Sequence, residues 1–312
     1  MLYIKKISKC SIFAARSEGG SLLCALYASV ITLAVLWILP RNAEAEQLFV
    51  TQGQDNLVSE FDANTGFEIN GAFIVDFNYP FGLFVEGNSL YVVDDGFIPF
   101  SGDVGKYDAN NGFPINASLI IGLNFPGDIL VSGNSLYVSS FGGSPFTGTV
   151  GLYEANSGLP LNAALIFGLD GAVGLAKLGD NLFVAQYTNG TVSEYITPTG
   201  FPLNGNFISG SGTDEPTGLA VKGNRLFVAS YADGTVGVYN AKTAFPINGS
   251  LITGLNEPIG LAVFGNRLFV VSEAGGVPGA GTVGVYDANT GFPINASLIS
   301  GLDGPGGIAF KK

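Results

Sequence analysis

The sequence contains no histidine, and its two cysteines, Cys10 and Cys24, both lie in the N-terminal stretch. Without imidazole the chain has no side chain whose ordinary pKa falls near neutrality, which excludes histidine-based acid–base catalysis and histidine metal ligation. Beyond residue 45 there is no thiol either, so no disulfide can form there even in an oxidising compartment. Basic residues are scarce: 13 Lys and Arg stand against 25 Asp and Glu. A surface so acidic argues against nucleic acid and anionic membrane as partners, since both demand clustered positive charge. Charged residues of either sign make up only 12% of the chain and hydrophobic residues 47%, the opposite of the balance that keeps a chain disordered.

What is abundant is glycine (46), phenylalanine (24) and tyrosine (12), as expected of many short strands joined by tight turns. The N-terminus is of another kind. Lys5, Lys6, Lys9 and Arg16 precede an apolar run from Leu22 to Leu39, Pro40 ends it, and Ala43-Glu44-Ala45 puts small residues where a signal peptidase reads them. The expectation is a secreted or periplasmic protein, with residues 1–45 removed as a signal peptide after Ala45. The run is close to the roughly 18 residues that suffice for a spanning helix, so an uncleaved anchor at residues 22–39 is the alternative and the only membrane attachment expected. Cys24 lies inside the run without a lipoprotein box. Losing the leader removes five of the 13 basic and two of the 25 acidic residues, which leaves eight against 23 and a net charge of −15.

The rest of the chain is a repeat. Leucine–aromatic–valine begins at Leu48, Leu90, Leu136, Leu182, Leu226 and Leu268, at spacings of 42, 46, 46, 44 and 42 residues. In the unit starting at Arg225, Leu226 to Ser230 and Thr235 to Tyr239 read as strands separated by a hairpin turn. Ile247 to Ile252 is a third, with Pro246 at its entry where no ladder donor is needed. Ile259 to Val263 is a fourth, and Gly265-Asn266 turns the chain into the next unit. Four short antiparallel strands in a unit of roughly 44 residues make a propeller blade. A helical solenoid is excluded by the absence of a 3.6-residue period. The segment Gly-Leu-Ala-Val reads as the innermost strand, where backbones crowd near the axis. The first unit begins one strand late and the chain stops just after Gly307-Ile-Ala-Phe310. The expectation is therefore all-β: one six-bladed β-propeller over residues 46–312, with the C-terminal strand closing the first blade so that neither edge stays open.

Pro216-Thr-Gly-Leu-Ala-Val221, Gly223-Asn224 and Leu226-Phe-Val228, repeated at Pro258 to Val270, resemble NHL-type and YVTN-type propeller repeats. The resemblance covers essentially Leu48 to Phe310. It implies a secreted, bacterial, non-enzymatic member, and it speaks for fold more than for function. Gluconolactonase-like propellers hold a divalent metal on Asn or Asp directly before Gly-Leu-Ala. Here those positions are Phe81, Gly127, Val173, Thr217, Ile259 and Gly306, none of which offers a carboxylate. Asp128 is the one carboxylate nearby. Streptogramin-lyase-like propellers need a histidine that this chain lacks. No cofactor is expected, and a metal-assisted lactonase or hydrolase is the alternative to a binding module.

Other motifs have plainer explanations. Asp62-Ala-Asn-Thr-Gly66, Asp108-Ala-Asn-Asn-Gly112 and Asp287-Ala-Asn-Thr-Gly291 are shorter than calcium loops and lack a closing glutamate; Asp and Asn folding onto their own backbone in a turn account for them. Asn116, Asn189, Asn248 and Asn295 fit the glycan acceptor pattern, and repetition accounts for that. The pair Asp94-Asp95 serves acid–base chemistry only if burial separates the two pKa values.

The informative asymmetry lies in the loops after leucine–aromatic–valine. Three units keep a short turn. The others carry Gly96 to Gly102, Gly142 to Gly148 and Ala274 to Gly281, all on one face together with Asp214-Glu215 and Glu257. Long loops on a rigid scaffold are where binding resides. The expected ligand is a protein, a glycan or a small molecule at that face, taken by a monomer. Gln52, Asp94, Ser140, Gln186, Ser230 and Ser272 are expected at the channel mouth. Asp95, Phe141, Tyr187, Tyr231 and Glu273 come just outside, a mixture suited to a sugar or peptide. Phe97, Ile98, Phe100 and Phe146 are expected to form an apolar patch beside them.

Overall fold

The computed structural model describes residues 46–210 and 213–311. Residues 1–45, on which the leader and anchor expectations fall, lie outside the described residues.

Leucine–aromatic–valine segments have apolar side chains on both faces of a strand, so they are stable only where both faces are covered. Stacked blades meet that need. Leu48, Leu90, Leu136, Leu182, Leu226 and Leu268 are all fully buried, as are Phe49, Phe183, Phe227 and Phe269. The described residues form six antiparallel sheets of four strands each. In the fifth blade the strands are Pro216–Lys222, Arg225–Ser230, Thr235–Asn240 and Pro246–Ile252, in that order from inside to outside. Observed bounds and expected ones differ by a residue at most. The innermost strands of the six blades touch one another in succession around a ring. The architecture is a six-bladed β-propeller.

The first blade closes as its repeat phase requires. Its innermost strand is the C-terminal Pro305–Lys311, which pairs antiparallel with Gln47–Gln52 in the register Gln47↔Lys311, Leu48↔Phe310 and Phe49↔Ala309. Thr51 Oγ1 accepts the Gly307 N–H at 2.7 Å and donates to Phe81 O at 2.7 Å, joining the closing strand to the second blade.

Recurrent polar residues serve the outer strands and turns. Asn70, Asn116, Asn162, Asn204, Asn248 and Asn295 each accept, through Oδ1, the N–H two residues on, at 3.0 to 3.2 Å. They sit where the outer strand shifts register, and this local bond gives the asparagine of the acceptor-like motifs a backbone role. Asp62 Oδ1 accepts the N–H groups of Asn64 and Thr65, and Asp287 does the same for Asn289 and Thr290. The Asp-Ala-Asn-Thr-Gly segments are Asx turns.

Candidate functional site

The channel wall follows from glycine in the innermost strands. A Cβ on Gly174 would sit 2.0 Å from Thr217 O, and one on Gly218 would sit 2.2 Å from Ile259 O. The backbones approach too closely for any side chain to point that way. In the third blade the equivalent residue is Asp128, whose carboxylate accepts the N–H groups of Leu175 and Ile129, both at 2.8 Å. The strands enclose an axial cavity of about 810 Å³. Phe81, Gly127, Val173, Thr217, Ile259 and Gly306 all line it, and the Thr217 hydroxyl is already donated to Pro258 O at 2.8 Å. A divalent metal of the gluconolactonase kind does not fit this set, since a hard cation needs several oxygen ligands and Asp128 is the single carboxylate among these wall positions.

The mouth is built from six equivalent pairs of residues. In each, the second residue beyond leucine–aromatic–valine–x donates its N–H to the carbonyl of the residue before an innermost strand. The pairs are Gly53 to Gly304 (2.8 Å), Asp95 to Tyr79 (3.1 Å), Phe141 to Phe125 (2.8 Å), Tyr187 to Gly171 (2.9 Å), Tyr231 to Glu215 (3.0 Å) and Glu273 to Glu257 (3.1 Å). Every acceptor residue has a positive φ: 81° at Tyr79, 51° at Phe125, 52° at Glu215 and 54° at Glu257, with glycine at the other two positions. Non-glycine residues pay about 1–2 kcal/mol to hold this conformation. Four of them in one ring is a concentration of backbone strain of the kind found at functional sites. The aligned glycines, Gly171 and Gly304, were the signal in the sequence that this position is left-handed.

The radial order expected from sequence is reversed. Gln52, Asp94, Ser140, Gln186, Ser230 and Ser272 are buried inside their blades and do not line the cavity. Four of them clamp the loop that leads to the mouth. Gln52 Oε1 accepts Asp303 N–H (3.1 Å), Asp94 accepts Asn78 N–H (2.7 Å), Gln186 Oε1 accepts Asp170 N–H (2.9 Å), and the Ser230 hydroxyl donates to Asp214 O (2.6 Å). The residues one step further on, Phe141, Tyr187, Tyr231 and Glu273, line the axial cavity together with Tyr79, while Asp95 lines a side recess. These residues follow the last residue of their strands, so the loops they enter, and not strand alternation, carry them to the mouth. Tyr79 and Phe125 lie in loops that the sequence reading did not single out.

Phe97, Phe100 and Phe146 are 63%, 68% and 68% exposed, and Ile98 is exposed beside them. Phe97 also packs on Tyr79, with ring centroids 4.8 Å apart. Neither Phe100 nor Phe146 lines the axial cavity or the recess that holds Asp95.

The rings at the mouth hold one another. Phe141 and Tyr187 lie 6.3 Å apart and Tyr187 and Tyr231 6.0 Å apart, the latter edge to face. The Tyr187 hydroxyl donates to Glu215 Oε2 at 2.9 Å, while the Tyr231 hydroxyl lies near the carboxylates of Glu257 and Glu273. Burial and these carboxylates push both tyrosine hydroxyls well above their usual range, so they stay protonated. Burial and the nearby Glu257 also raise Glu273, against the opposing influence of the Tyr231 hydroxyl. Asp95 is pushed up to about 6 by burial and by Asp94. Its Oδ1 is buried without a hydrogen-bond partner.

Positive charge is segregated. Every described lysine and arginine sits at the opposite face, in the strand ends and turns there: Lys106, Lys177, Lys222, Arg225, Lys242, Arg267 and Lys311. Their partners lie there as well. Lys106 reaches Asn156, Lys222 reaches Asn266, Arg225 reaches Asn289, and Arg267 pairs with Glu46. The mouth face holds Asp94, Asp95, Asp103, Glu215, Glu257 and Glu273 with no basic side chain among its described residues.

With this geometry in hand, the chain can be set beside known proteins. No family model and no curated protein matches it. Among solved structures it is similar to a chain of a nidogen/laminin complex, with a TM-score of 0.69 and 12% identity over 85% of this chain and 98% of that one. It is also similar to the computationally designed Ika8 protein, with a TM-score of 0.51 and 19% identity over 84% of this chain and 74% of that one. The likeness is one of fold. At such identities it shows the propeller fold alone, and it assigns neither a role nor a ligand.

Proposed function

We propose that this propeller is an exported binding module of NHL-type or YVTN-type kinship whose ligand enters the mouth framed by Tyr79, Phe141, Tyr187, Tyr231 and Glu273. The observation that carries the reading is the ring of mouth pairs. Aromatic and acidic residues hold left-handed backbone there, at the entrance of a cavity of about 810 Å³. That volume lies within the range of small-molecule sites, and aromatic walls with a few polar groups are their usual lining. Export rests on the leader pattern, and the kinship rests on the Pro-x-Gly-Leu-Ala-Val repeats.

The test is a fragment screen by thermal shift on the full-length chain, covering sugars, short peptides and small aromatic compounds. Hits should lose their shift in the Tyr187→Ala/Tyr231→Ala variant and keep it in Lys222→Ala, at the opposite face. Hits that survive the mouth variant but fail with Lys222→Ala would place binding on the other side.

A further inference from the structure

The mouth is not uniform around its circumference. Between the second and third blades it opens into a recess of about 460 Å³ whose wall includes Tyr79, Phe81, Phe125, Phe141 and Asp95. Glycine makes room for two of these rings. A Cβ on Gly53 would lie 2.9 Å from the Tyr79 ring, and one on Gly171 would lie 2.8 Å from the Phe141 ring. Phe97 packs on Tyr79 and steadies it.

A recess walled by aromatic rings would be a plain hydrophobic slot but for one carboxylate, that of Asp95. Asp95 Oδ1 is buried with no partner, although buried polar atoms are paired in the great majority of cases. Asp94 cannot supply a partner, since its carboxylate is itself an acceptor and takes the Asn78 N–H. No basic side chain among the described residues of this face can neutralise it. Ring faces carry negative electrostatic potential, and a carboxylate adds to it. Only a cation is attracted to both.

We infer that the recess is an organic-cation site, with an alkylammonium or guanidinium group seated among Tyr79, Phe125 and Phe141 against Asp95 and the rest of the ligand lying over Tyr187 and Tyr231 in the axial cavity. The inference rests on the mouth being the binding site and names the chemistry that site selects. The free energy comes from two sources: the Asp95 carboxylate at the recess wall and the ring faces. Glu273, across the mouth, adds long-range attraction without touching the recess.

The experiment is calorimetric titration of the full-length chain with phenethylammonium chloride, with the neutral isostere 2-phenylethanol and with phenylacetate. The ammonium should bind about tenfold more tightly than the alcohol, the scale of one ion pair with cation–π support, and phenylacetate should bind weakest. Asp95→Asn should bring the ammonium down to the affinity of the alcohol and leave the alcohol unchanged. Thermal melting of Asp95→Asn monitors its folding, and Asp95→Ser is a second variant with the same expectation. A lysine-containing peptide in a further arm separates the sources of the cation; tighter binding by the peptide or by the free amine carries the inference either way.

Equal affinity for the ammonium and the alcohol, or an ammonium affinity untouched by Asp95→Asn, overturns the cation assignment. So does the absence of any ammonium binding. If alcohol and ammonium bind equally and both are lost in Phe141→Ala, the mouth remains the site and only its selectivity is misread. If either probe binds and Phe141→Ala weakens neither, the mouth reading fails as well.

Discussion

Asp128 Oδ2 accepts the backbone N–H of Leu175 at 2.8 Å, linking the innermost strand of the third blade to that of the fourth. The other blades carry Gly82, Gly174, Gly218, Gly260 and Gly307 in this position. The aspartate thus replaces close backbone contact with a side-chain bond across the same gap. Burial raises its carboxyl to about 6 in spite of the bonds from Leu175 and Ile129. Asp128→Ala leaves the Leu175 N–H without its acceptor and should cost about 1–3 kcal/mol. Asp128→Asn keeps one acceptor of the two, turns its amide NH2 toward the other N–H and removes a charge from an apolar wall, so at pH 7 it should cost less than Asp128→Ala. Urea denaturation of the full-length chain measures both.

Stability should fall as pH rises from acid toward neutrality. Burial, as the largest cause, pushes Asp95, Asp103 and Asp128 each up to about 6 in the folded protein, against an ordinary value of 3.8. Between these limits the folded protein holds protons that the unfolded chain has released. The stability these groups supply is therefore complete below 3.8 and lost as pH passes about 6. Four carboxylates in the turns of the opposite face run the other way. Asp108 and Asp287 are held low by backbone bonds from their turns and Glu154 by Ser157. At Asp62 desolvation is the largest single influence and raises it, but the bonds from Thr65 and Asn64 together with Arg267 outweigh it. Their contribution is present above the unfolded value and disappears as pH falls through the folded one. The melting temperature should peak at about pH 4–5, and a series of melts from pH 3 to pH 8 on the wild type and Asp128→Asn checks it. A maximum at neutral pH would contradict the raised carboxyls.

Glycine at the channel wall is a matter of space, and this can be separated from chain flexibility. A methyl on Gly174 would meet Thr217 O at 2.0 Å, whereas one on Gly205, in the exposed outer strand of the same blade, meets nothing within 4 Å. Gly174→Ala should destabilise by about 1–3 kcal/mol through overpacking. Gly205→Ala should be neutral or stabilising by up to about 1 kcal/mol. Chemical denaturation of the two variants side by side reads the difference.

Removing Gly306 to Lys312 should open the ring. The deletion takes away most of the strand paired with Gln47–Gln52 and the Gly307 bond to Thr51. The first blade would then present an unpaired inner edge, and such edges associate. Size-exclusion chromatography should show aggregated or dimeric product and a lowered melting temperature. A monomer with unchanged melting would show that closure contributes nothing.

Sequence alone determined the architecture of this protein. The repeated leucine–aromatic–valine at 42 to 46 residues fixed the number of blades, and its phase fixed how the ring closes, because a strand with two apolar faces and a blade with an open edge each have one economical solution. The presence of aromatic and acidic residues on the long-loop face was legible too. Which of them meet a ligand was decided only in three dimensions. Asp94 and Asp95 are neighbours in the chain, yet one clamps a loop inside its blade and the other lines a recess, with one oxygen buried and unpaired. Tyr79 and Phe125 come from loops that the repeat pattern treats as connections, and they reach the mouth through a left-handed backbone that two aligned glycines only hint at. Periodicity encodes which face of a strand is buried. Where a strand ends, the direction of each side chain depends on the loop it meets, and that loop belongs to a distant part of the chain.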